Sequence, residues 1–392
     1  MSSERTVPPR ADTDAVELIE DTARFIEIIP EICDQPIYAV DTEFHRERTY
    51  YPKVALVQIN WGASMALVDP LTVSLEPFAA VLQGPGLAVM HASSQDLEVL
   101  MRSCETLPTR LFDTQIAAGF TGMRSPSLAS LHDKLLGVRI PKGDRLTDWL
   151  RRPLSPEQLD YAASDVRHLL DIHRLLETDL ASRGRLQWAE DECLALLARG
   201  RDQRDPETAW LRIKETRHLG KRSRGVAQAV AEWRELRARE IDQPPRFVLP
   251  DLGVVGIAQR PPRQLDDLRK VRGIDDRHVR GSQADELMEV VNVGLGRDVE
   301  LPRRPSNRAL MEQLRPAVTL VSAWLTQHAQ DIEIDPALLG TRADIEALLR
   351  RDQDARLASG WRAEHVGEPI GRLVEGQAAL AFDDGRLVLE DR

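Results

Sequence analysis

The chain has 392 residues, which is more than one compact core usually supports and predicts two to three domains. Its composition, 42% hydrophobic and 29% charged, includes no run approaching the roughly 18 apolar residues of a membrane span, which excludes a membrane-spanning class. The net charge of −11 excludes a chain that is basic throughout, although a polyanionic partner requires only a local basic surface.

The beginning of the chain and the cysteines bear on where the protein works. Residues 1–14 are polar and lack an apolar segment after a basic start, so no secretory signal is predicted. Cys33, Cys104 and Cys193 lie far apart, which argues against a disulfide framework or a zinc cluster. We therefore expect a flexible N-terminus and a cytoplasmic protein that does not contact a membrane.

Residues 15–200 follow the pattern of a mixed α/β domain. Five short apolar runs are typical of strands, at 36–41, 54–61, 64–69, 86–91 and 110–113. Short connections join the first three, which predicts antiparallel neighbours, and helices separate the last two. The pattern thus predicts a mixed five-stranded sheet. A long helix is expected from Pro156 to about Ser182, with Ser155 as its N-cap.

Two helix-rich regions follow, at residues 207–295 and 306–392. A charged break near 200–206 precedes the first, and a linker with glycine and proline at 294–306 precedes the second. The first region begins with a basic stretch. Residues 211–225 contain six Arg or Lys and one acid, and six minus one gives about +5 by side-chain counting.

Two carboxylates lie two positions apart where the first predicted strand ends, at Asp41 and Glu43 in Val40-Asp-Thr-Glu-Phe44. Alternation along a strand directs both side chains to the same face. Two like charges inside an apolar strand are costly unless a cation joins them, and hard oxygen donors suit Mg²⁺ or Mn²⁺. A single Asp at a strand end is more often a turn or cap residue, so this pair alone is a weak signal.

Two further aspartates lie at positions that suit the same chemistry. Asp96 follows the fourth predicted strand and begins a helix, where an open α/β sheet usually carries its ligands; the alternative is compensation of the helix dipole. Asp165 lies four residues after Tyr161, so the two share one face of the long helix. A metal shared with Asp41 and Glu43 would give this carboxylate a partner. The alternative is a surface aspartate.

These three motifs resemble, in type and order, those of the DEDD exonucleases of the tyrosine subclass. Several adjoining runs resemble the ribonuclease D family in particular, and they cover residues 15–200. The runs are Asp41-Thr-Glu-Phe44, Arg48-Thr-Tyr-Tyr-Pro52, Val57-Gln-Ile59, His91-Ala-Ser-Ser-Gln-Asp-Leu-Glu-Val99, Phe112-Asp-Thr-Gln115, Thr147-Asp-Trp149, Arg152-Pro-Leu-Ser155 and Tyr161-Ala-Ala-Ser-Asp-Val166. The resemblance implies a ribonuclease H-like fold and a metal-dependent 3′-to-5′ exoribonuclease.

By this resemblance, Asp41, Glu43, Asp96 and Asp165 bind two divalent cations, Mg²⁺ or Mn²⁺, that flank the attacked phosphate. Tyr161 corresponds to the tyrosine that orients the attacking water, and an ordinary pKa of about 10 argues against its acting as a free base. The products implied are nucleoside 5′-monophosphates, released from RNA with a free 3′ end such as a tRNA precursor. No partner subunit is needed to complete such a site, so a monomer is expected.

Other side chains near these motifs are candidates for binding the RNA or for supporting the carboxylates. Phe44, Trp149 and Arg145 offer the flat and cationic groups that bind single-stranded nucleic acid. For Trp149, a core anchor is an equal alternative. Asp113 is interpreted as a helix N-cap and His91 as a structural hydrogen-bonding residue.

The two helix-rich regions resemble the C-terminal half of the same family. Residues 207–295 resemble an HRDC domain, a helical module that commonly binds nucleic acid or proteins, and residues 306–392 resemble a second such domain less specifically. We therefore expect two all-helical HRDC-type domains. In the basic stretch, weak candidates for phosphate contacts are Arg212, Lys214, Lys221, Arg222 and Arg224. The alternative is a solvated helix face that packs on the nuclease domain.

Two other functions stay open. A 3′-to-5′ exonuclease that acts mainly on DNA is one alternative, because RNA and DNA present the same phosphodiester to a metal site. A non-catalytic RNA-binding protein on a nuclease scaffold is the other, and it predicts the loss of a metal ligand. All four carboxylates are present, which disfavours this second alternative.

Overall fold

The computed structural model describes residues 16–140, 147–201, 205–275, 278, 281–301 and 308–392. These residues form two compact units. The first contains the chain up to Glu43, Ala55–Gly200 and the residues from 308 onward, and the second contains Phe44–Val54 and the described residues from Arg201 to 301. Among the described residues, no helix is both long enough and apolar enough to cross a membrane.

A six-stranded mixed sheet forms the centre of the first unit. Its strands are β1 (Val16–Ile19), β2 (Ile37–His45), β3 (Lys53–Asn60), β4 (Met65–Val68), β5 (Leu87–Met90) and β6 (Arg110–Asp113). They lie in the order β1-β4-β3-β2-β5-β6. β3 and β4 are antiparallel, whereas β1 and β4, β2 and β5, and β5 and β6 are parallel. The five predicted strands are present, but the count of five is wrong because β1, a four-residue edge strand without clear alternation, escaped the pattern.

The helices of the same part of the chain pack on this sheet. They are α1 (Thr22–Cys33), α2 (Phe78–Gln83), α3 (Ser94–Ser103), α4 (Thr114–Gly119), α5 (Leu128–Leu131), α6 (Pro156–Arg167), α7 (Leu169–Ser182) and α8 (Leu186–Arg201). Buried side chains of β3, β5, α6 and α7, among them Leu56, Val89, Ala162 and Ile172, belong to one core. The core thus presses α6 against the sheet.

The predicted long helix over 156–182 is two helices that meet at His168. The side-chain amide of Asn60 donates to the backbone oxygens of Val166 at 3.0 Å and Arg167 at 3.1 Å. These bonds satisfy carbonyl groups that a continuing helix would use itself, which lets α6 end there. Its beginning is as predicted, because Ser155 caps α6 in a capping box with Gln158.

The second unit is helical and is built around α9. Its helices are α9 (Lys221–Glu240), α10 (Pro245–Val248), α11 (Asp251–Gln259), α12 (Leu265–Leu268) and α13 (Ser282–Gly296), preceded by 3-10 turns at Pro206–Arg212 and Lys214–His218. Apolar side chains such as Val230, Ile257 and Leu287 form its core. Glycine lets α9 and α13 approach closely, because a Cβ at Gly225 would lie 2.5 Å from the Gly294 oxygen.

Residues 308–392 share the core of the first unit. They form α14 (Arg308–Asp331), α15 (Pro336–Leu339), α16 (Arg342–Leu349), α17 (Gly360–Arg362), α18 (Glu368–Val374), β7 (Ala378–Asp383) and β8 (Arg386–Asp391). Trp361 stacks on Trp188 of α8, with 5.0 Å between ring centroids, and meets Phe120 edge-on at 5.2 Å. Arg185 donates to the backbone oxygens of Phe120 at 2.8 Å and Ile332 at 2.6 Å. The last part of the chain therefore packs on α8 and the end of α4.

The expectation that this last region is all-helical is wrong, because β7 and β8 pair as an antiparallel hairpin. The turn between them is Asp384-Gly385, and both residues have positive φ, 46° and 76°. An Asp-Gly pair between apolar runs is a strong hairpin signal, since both positions of such a turn require positive φ. The helical periodicity upstream masked this signal in the sequence.

Candidate metal centre

Three carboxylates from two elements of the first unit come together. Asp41 and Glu43 lie on β2, and alternation directs both towards the face that α6 covers. Asp165 lies on α6. One carboxylate oxygen from each of the three lies within 4.8 Å of the others. The predicted convergence of these two motifs is therefore present.

Asp96 lies near the beginning of α3, after β5, and is buried. The hydroxyl of Thr42 donates to its Oδ1 at 2.5 Å, which ties it to the strand that carries Asp41 and Glu43. Its charge also raises the pKa values of Asp41 and Glu43, although its oxygens lie outside the group that spans 4.8 Å. Four carboxylates thus act on one another electrostatically.

Burial raises the pKa of every carboxylate in this group. It raises the pKa of Asp96 to about 6, of Asp165 to about 7 and of Glu43 to about 8, and repulsion from neighbouring carboxylates adds to burial for Glu43 and Asp165. The pKa of Asp41 is raised well above its ordinary value by burial and then by the other three acids. Such crowding is costly without a counter-charge, and all the donors are the hard oxygens that Mg²⁺ and Mn²⁺ prefer. The residues present therefore fit divalent cations.

Tyr161 lies one turn before Asp165 on α6, and its hydroxyl hydrogen-bonds the Asp165 carboxylate. Burial first, and then the charges of Asp165, Glu43 and Asp41, raise the pKa of Tyr161 above its ordinary value. The phenol therefore keeps its proton at neutral pH. It can donate or orient a hydrogen bond here, but it is a poor base.

Asp113 and His91 have the structural roles predicted for them. The Asp113 carboxylate caps α4 and also accepts from the Ser93 amide and hydroxyl, both at 2.8 Å. Since Ser93 is the residue before α3, this links the end of β6 to the start of the helix that carries Asp96. His91 Nδ1 lies 3.0 Å from the Thr114 hydroxyl.

The sequence interpretation missed Thr42 and Asn60. Thr42 lies between two acids on β2, and alternation alone directs it away from their face. Its bond to Asp96 depends on β2 lying beside β5, which only the sheet order reveals. Asn60 is 2% exposed and ends α6 just after Asp165. A buried amide at a strand end was the available signal for it.

Of the predicted substrate-binding residues, Trp149 lies beside the centre. Its ring centroid is 6.1 Å from that of Tyr161, and it also packs against the core of the first unit, as a core anchor would. Its binding of RNA stays a prediction. Arg152 holds this loop, because its guanidinium donates to the Trp149 oxygen at 2.7 Å and pairs with Asp69. Phe44 is half-buried and belongs to the second unit, and Arg145 lies outside the described residues.

The basic stretch is partly committed to contacts inside the second unit. Arg212 pairs with Glu235 at 2.7 Å, and Lys221 pairs with Asp298 at 2.9 Å. Arg224 Nε donates to the Leu219 oxygen at 2.9 Å. The two remaining candidates are exposed, at Lys214 and Arg222. Phosphate contacts by any of the five stay a prediction.

Comparison with known proteins identifies two sequence families. The 3′-5′ exonuclease family matches residues 16–181, and the HRDC domain matches residues 223–291. The exonuclease match contains all four carboxylates and Tyr161. The HRDC match lies within the range predicted for the first helical domain, and a second HRDC match is not found.

Relatives match over nearly the whole chain. Ribonuclease D of Gluconacetobacter diazotrophicus is 33% identical over 378 residues, which cover 95% of this chain and 94% of that protein. Ribonuclease D of Nitrobacter hamburgensis is 33% identical over 388 residues, which cover 96% of this chain and all of that protein.

Solved structures give the same result. The crystal structure of Escherichia coli RNase D, described as an exoribonuclease involved in structured RNA processing, is 32% identical with a TM-score of 0.83. The match covers 92% of this chain and 99% of that one. The catalytic core of RRP6 from Trypanosoma brucei, at 23% identity and a TM-score of 0.57, shows the fold alone.

Proposed function

The chain belongs to the ribonuclease D family, and on that premise we propose that it removes nucleotides one at a time from the 3′ end of RNA. It is a 3′-to-5′ exoribonuclease whose first unit has a ribonuclease H-like exonuclease fold with a mixed sheet, followed in sequence by an HRDC domain. The observation that carries this function is the group of crowded carboxylates whose pKa values are raised by burial and by one another.

We assign Asp41, Glu43, Asp96 and Asp165 as the residues that hold two divalent cations, Mg²⁺ or Mn²⁺. The raised pKa values support this assignment, because a cation between the carboxylates would stabilise their charged forms. When bound, such cations acidify water and neutralise charge on the attacked phosphate and its leaving oxygen. The expected products are nucleoside 5′-monophosphates.

Tyr161 and Trp149 act on the substrate side of this proposal. The protonated Tyr161 hydroxyl orients the attacking water by a hydrogen bond while it keeps its link to Asp165. Trp149, whose ring lies 6.1 Å from that of Tyr161, offers a flat surface for the terminal base. Phe44 and Arg145 stay candidates for contacts further along the RNA.

The substrate that we propose is structured RNA with a free 3′ end, such as a tRNA precursor. The structural relative from Escherichia coli is described as acting in structured RNA processing, and this supports the proposal by analogy. The exposed Lys214 and Arg222, which precede the HRDC match, supply phosphate contacts, with Arg212, Lys221 and Arg224 as weaker candidates because of their existing contacts.

Three broader assignments belong to the same proposal. The helical part of residues 306–392, before the β7–β8 hairpin, is a diverged HRDC-type domain, on the resemblance of Leu357-Ala-Ser-Gly-Trp-Arg362 and Gly371-Arg-Leu-Val-Glu-Gly376 to the family. The protein works as a monomer, since one chain supplies all four carboxylates. It works in the cytoplasm, where free thiols such as Cys104 and Cys193 persist.

The test uses a 5′-labelled RNA hairpin with a single-stranded 3′ tail, incubated with Mg²⁺, Mn²⁺ or EDTA. We expect metal-dependent shortening by single nucleotides, abolished in Asp165→Asn and retained in Asp160→Asn, a matched change on the exposed face of the same helix. Internal fragments, or cleavage that persists in EDTA, would contradict the proposal. Faster shortening of a matched DNA would make DNA the substrate, and binding without shortening would indicate a non-catalytic RNA-binding protein.

A further inference from the structure

The segment that joins β2 to β3 belongs to the second unit. Phe44–Val54 follow Glu43 directly and belong to the second unit. Within that unit, the Tyr50 hydroxyl donates to the Glu235 carboxylate at 2.5 Å and accepts from Arg239 Nε at 2.9 Å. The Arg239 guanidinium also lies 5.7 Å from the centroid of the Tyr50 ring. The segment is thus fixed to α9 by a side chain near its middle.

The buried charge of Glu235 needs these contacts. Glu235 is 3% exposed in the interior of α9, where an unpaired carboxylate is strongly unfavourable. Arg212 pairs with one of its oxygens at 2.7 Å, and the Tyr50 hydroxyl donates to the other. A leucine at this position would stabilise a plain helix core at less cost. The hydrogen bond from Tyr50 therefore gives a reason for a glutamate at position 235.

Asp242 makes a second, independent contact with the segment Phe44–Val54. It follows the end of α9 with φ at +47°, a conformation in which glycine is the usual residue because a Cβ is unfavourable there. Unlike glycine, the aspartate has a side chain that can accept hydrogen bonds. Its Oδ1 accepts from the backbone N–H groups of Tyr50 and Tyr51, both at 3.1 Å. Arg246 adds a longer contact to the Glu47 oxygen at 3.5 Å.

We propose that Tyr50, Glu235 and Asp242 are positioning residues of the exonuclease. Their contacts hold the segment Phe44–Val54, which continues directly from Glu43, so the use of divalent cations depends on these three side chains. The inference rests on the proposed function, since it concerns cations held at Glu43. Mg²⁺ is the sensitive probe, because it demands nearly ideal octahedral geometry and tolerates a displaced ligand poorly.

Three variants of the full chain separate this role from a general loss of stability. Tyr50→Phe removes only the hydroxyl, and Asp242→Gly removes the carboxylate while permitting positive φ. Asp242→Asn keeps an acceptor oxygen and is the conservative rescue. Asp266→Ala, an exposed acid on α12 paired with Arg269, is the matched control.

The first readout is the Mg²⁺ concentration that gives half-maximal release of 3′ nucleotides from the labelled RNA. We expect Tyr50→Phe and Asp242→Gly to raise it roughly three- to tenfold, the effect of losing one or two hydrogen bonds. Asp242→Asn and Asp266→Ala should match the parent. The second readout is the rate of tryptic cleavage after Arg46, Arg48 or Lys53, which should rise in the same two variants.

An unchanged Mg²⁺ requirement in Tyr50→Phe and Asp242→Gly would overturn the inference, even if trypsin cut faster. The contacts of Tyr50 and Asp242 would then hold the segment without affecting how the carboxylates bind cations. A lower maximal rate at the same half-maximal Mg²⁺ would also overturn it, since that is the result of a structural role alone. A parent without metal-dependent activity would instead contradict the proposed function, and unchanged tryptic cleavage would then still show that Tyr50 and Asp242 do not hold the segment.

Discussion

Asp96 depends on a neighbour that the strand pattern directs elsewhere. The Thr42 hydroxyl donates to Asp96 at 2.5 Å and joins the fourth carboxylate to β2. Thr42→Val has nearly the same shape but no donor, so Asp96 should shift and the rate of nucleotide release at fixed Mg²⁺ should fall roughly 10- to 100-fold, as for residues that orient metal ligands. Thr42→Ser keeps the donor and should stay close to the parent. Equal rates of nucleotide release in Thr42→Val and Thr42→Ser would show that the Thr42 hydroxyl does not position Asp96.

The crowded carboxylates also predict how stability depends on pH without metal. The folded-state pKa values of Asp165, about 7, and Glu43, about 8, lie above the values of about 4 expected in the unfolded chain. A raised folded-state pKa means that the fold binds the proton more tightly. The stability that these groups contribute is therefore present below about pH 4 and is lost as pH rises through about 7 to 8.

Melting temperatures in EDTA test this sign. The parent should melt at a lower temperature at pH 8 than at pH 5, and Asp165→Asn should reduce the difference by roughly 2–4 °C or more, because one buried charge is gone. Asp160 is exposed and pairs with Arg167, so Asp160→Asn should show the same fall in melting temperature between pH 5 and pH 8 as the parent. An equal decline in all three proteins would show that the carboxylates do not destabilise the metal-free fold.

The sequence predicted the carboxylates better than their supports. Alternation on β2 predicted that Asp41 and Glu43 share a face, and helical spacing predicted that Tyr161 and Asp165 share one, because both are local rules. The meeting of the two motifs was expected from the resemblance to the family. The partner of Asp96 lies 54 positions away in the sequence. No local rule connects residues at that distance, so Thr42 could be found only from the sheet order.

At the scale of elements, the last region of the chain acts as part of the nuclease core. Trp361 is 8% exposed and lies between Trp188 and Phe120. Trp361→Ala should lower the free energy of unfolding of the first unit by about 3–5 kcal/mol, the usual cost of removing a buried aromatic ring. Denaturant unfolding followed by tryptophan fluorescence would measure this. Phe382→Ala, at a side chain that is 81% exposed, is the control and should change little.

A midpoint that Trp361→Ala leaves unchanged would mean that residues 308–392 contribute little to the nuclease fold.

Element prediction succeeded where runs were long and regular, as for β3 and α6. It failed at β1, which has four residues, at the break after α6, where Asn60 on β3 takes the helix carbonyls, and at the β7–β8 hairpin. In the first two cases, tertiary contacts decided what a local pattern could not.

At the scale of the whole molecule, each of the two units is built from stretches that are separated in the sequence. The HRDC match covers residues 223–291, and the domain bounds of 207–295 stay a prediction. The unit that contains this match also contains Phe44–Val54, and Tyr50 contacts residues 185 to 192 positions further along the chain. Predicted domain boundaries follow linkers along the sequence, so they could not show a segment that joins a later unit.

Calorimetric titration of the full, metal-free chain with Mn²⁺ tests the central claim, that four carboxylates hold two divalent cations. At pH 8 we predict saturable binding of about two Mn²⁺ per chain. Binding should weaken at pH 5, where Glu43 and Asp165 hold protons that a cation must displace. It should be lost in Asp41→Asn and retained in Asp160→Asn. No saturable binding at pH 8, or binding that Asp41→Asn leaves unchanged, would contradict the claim.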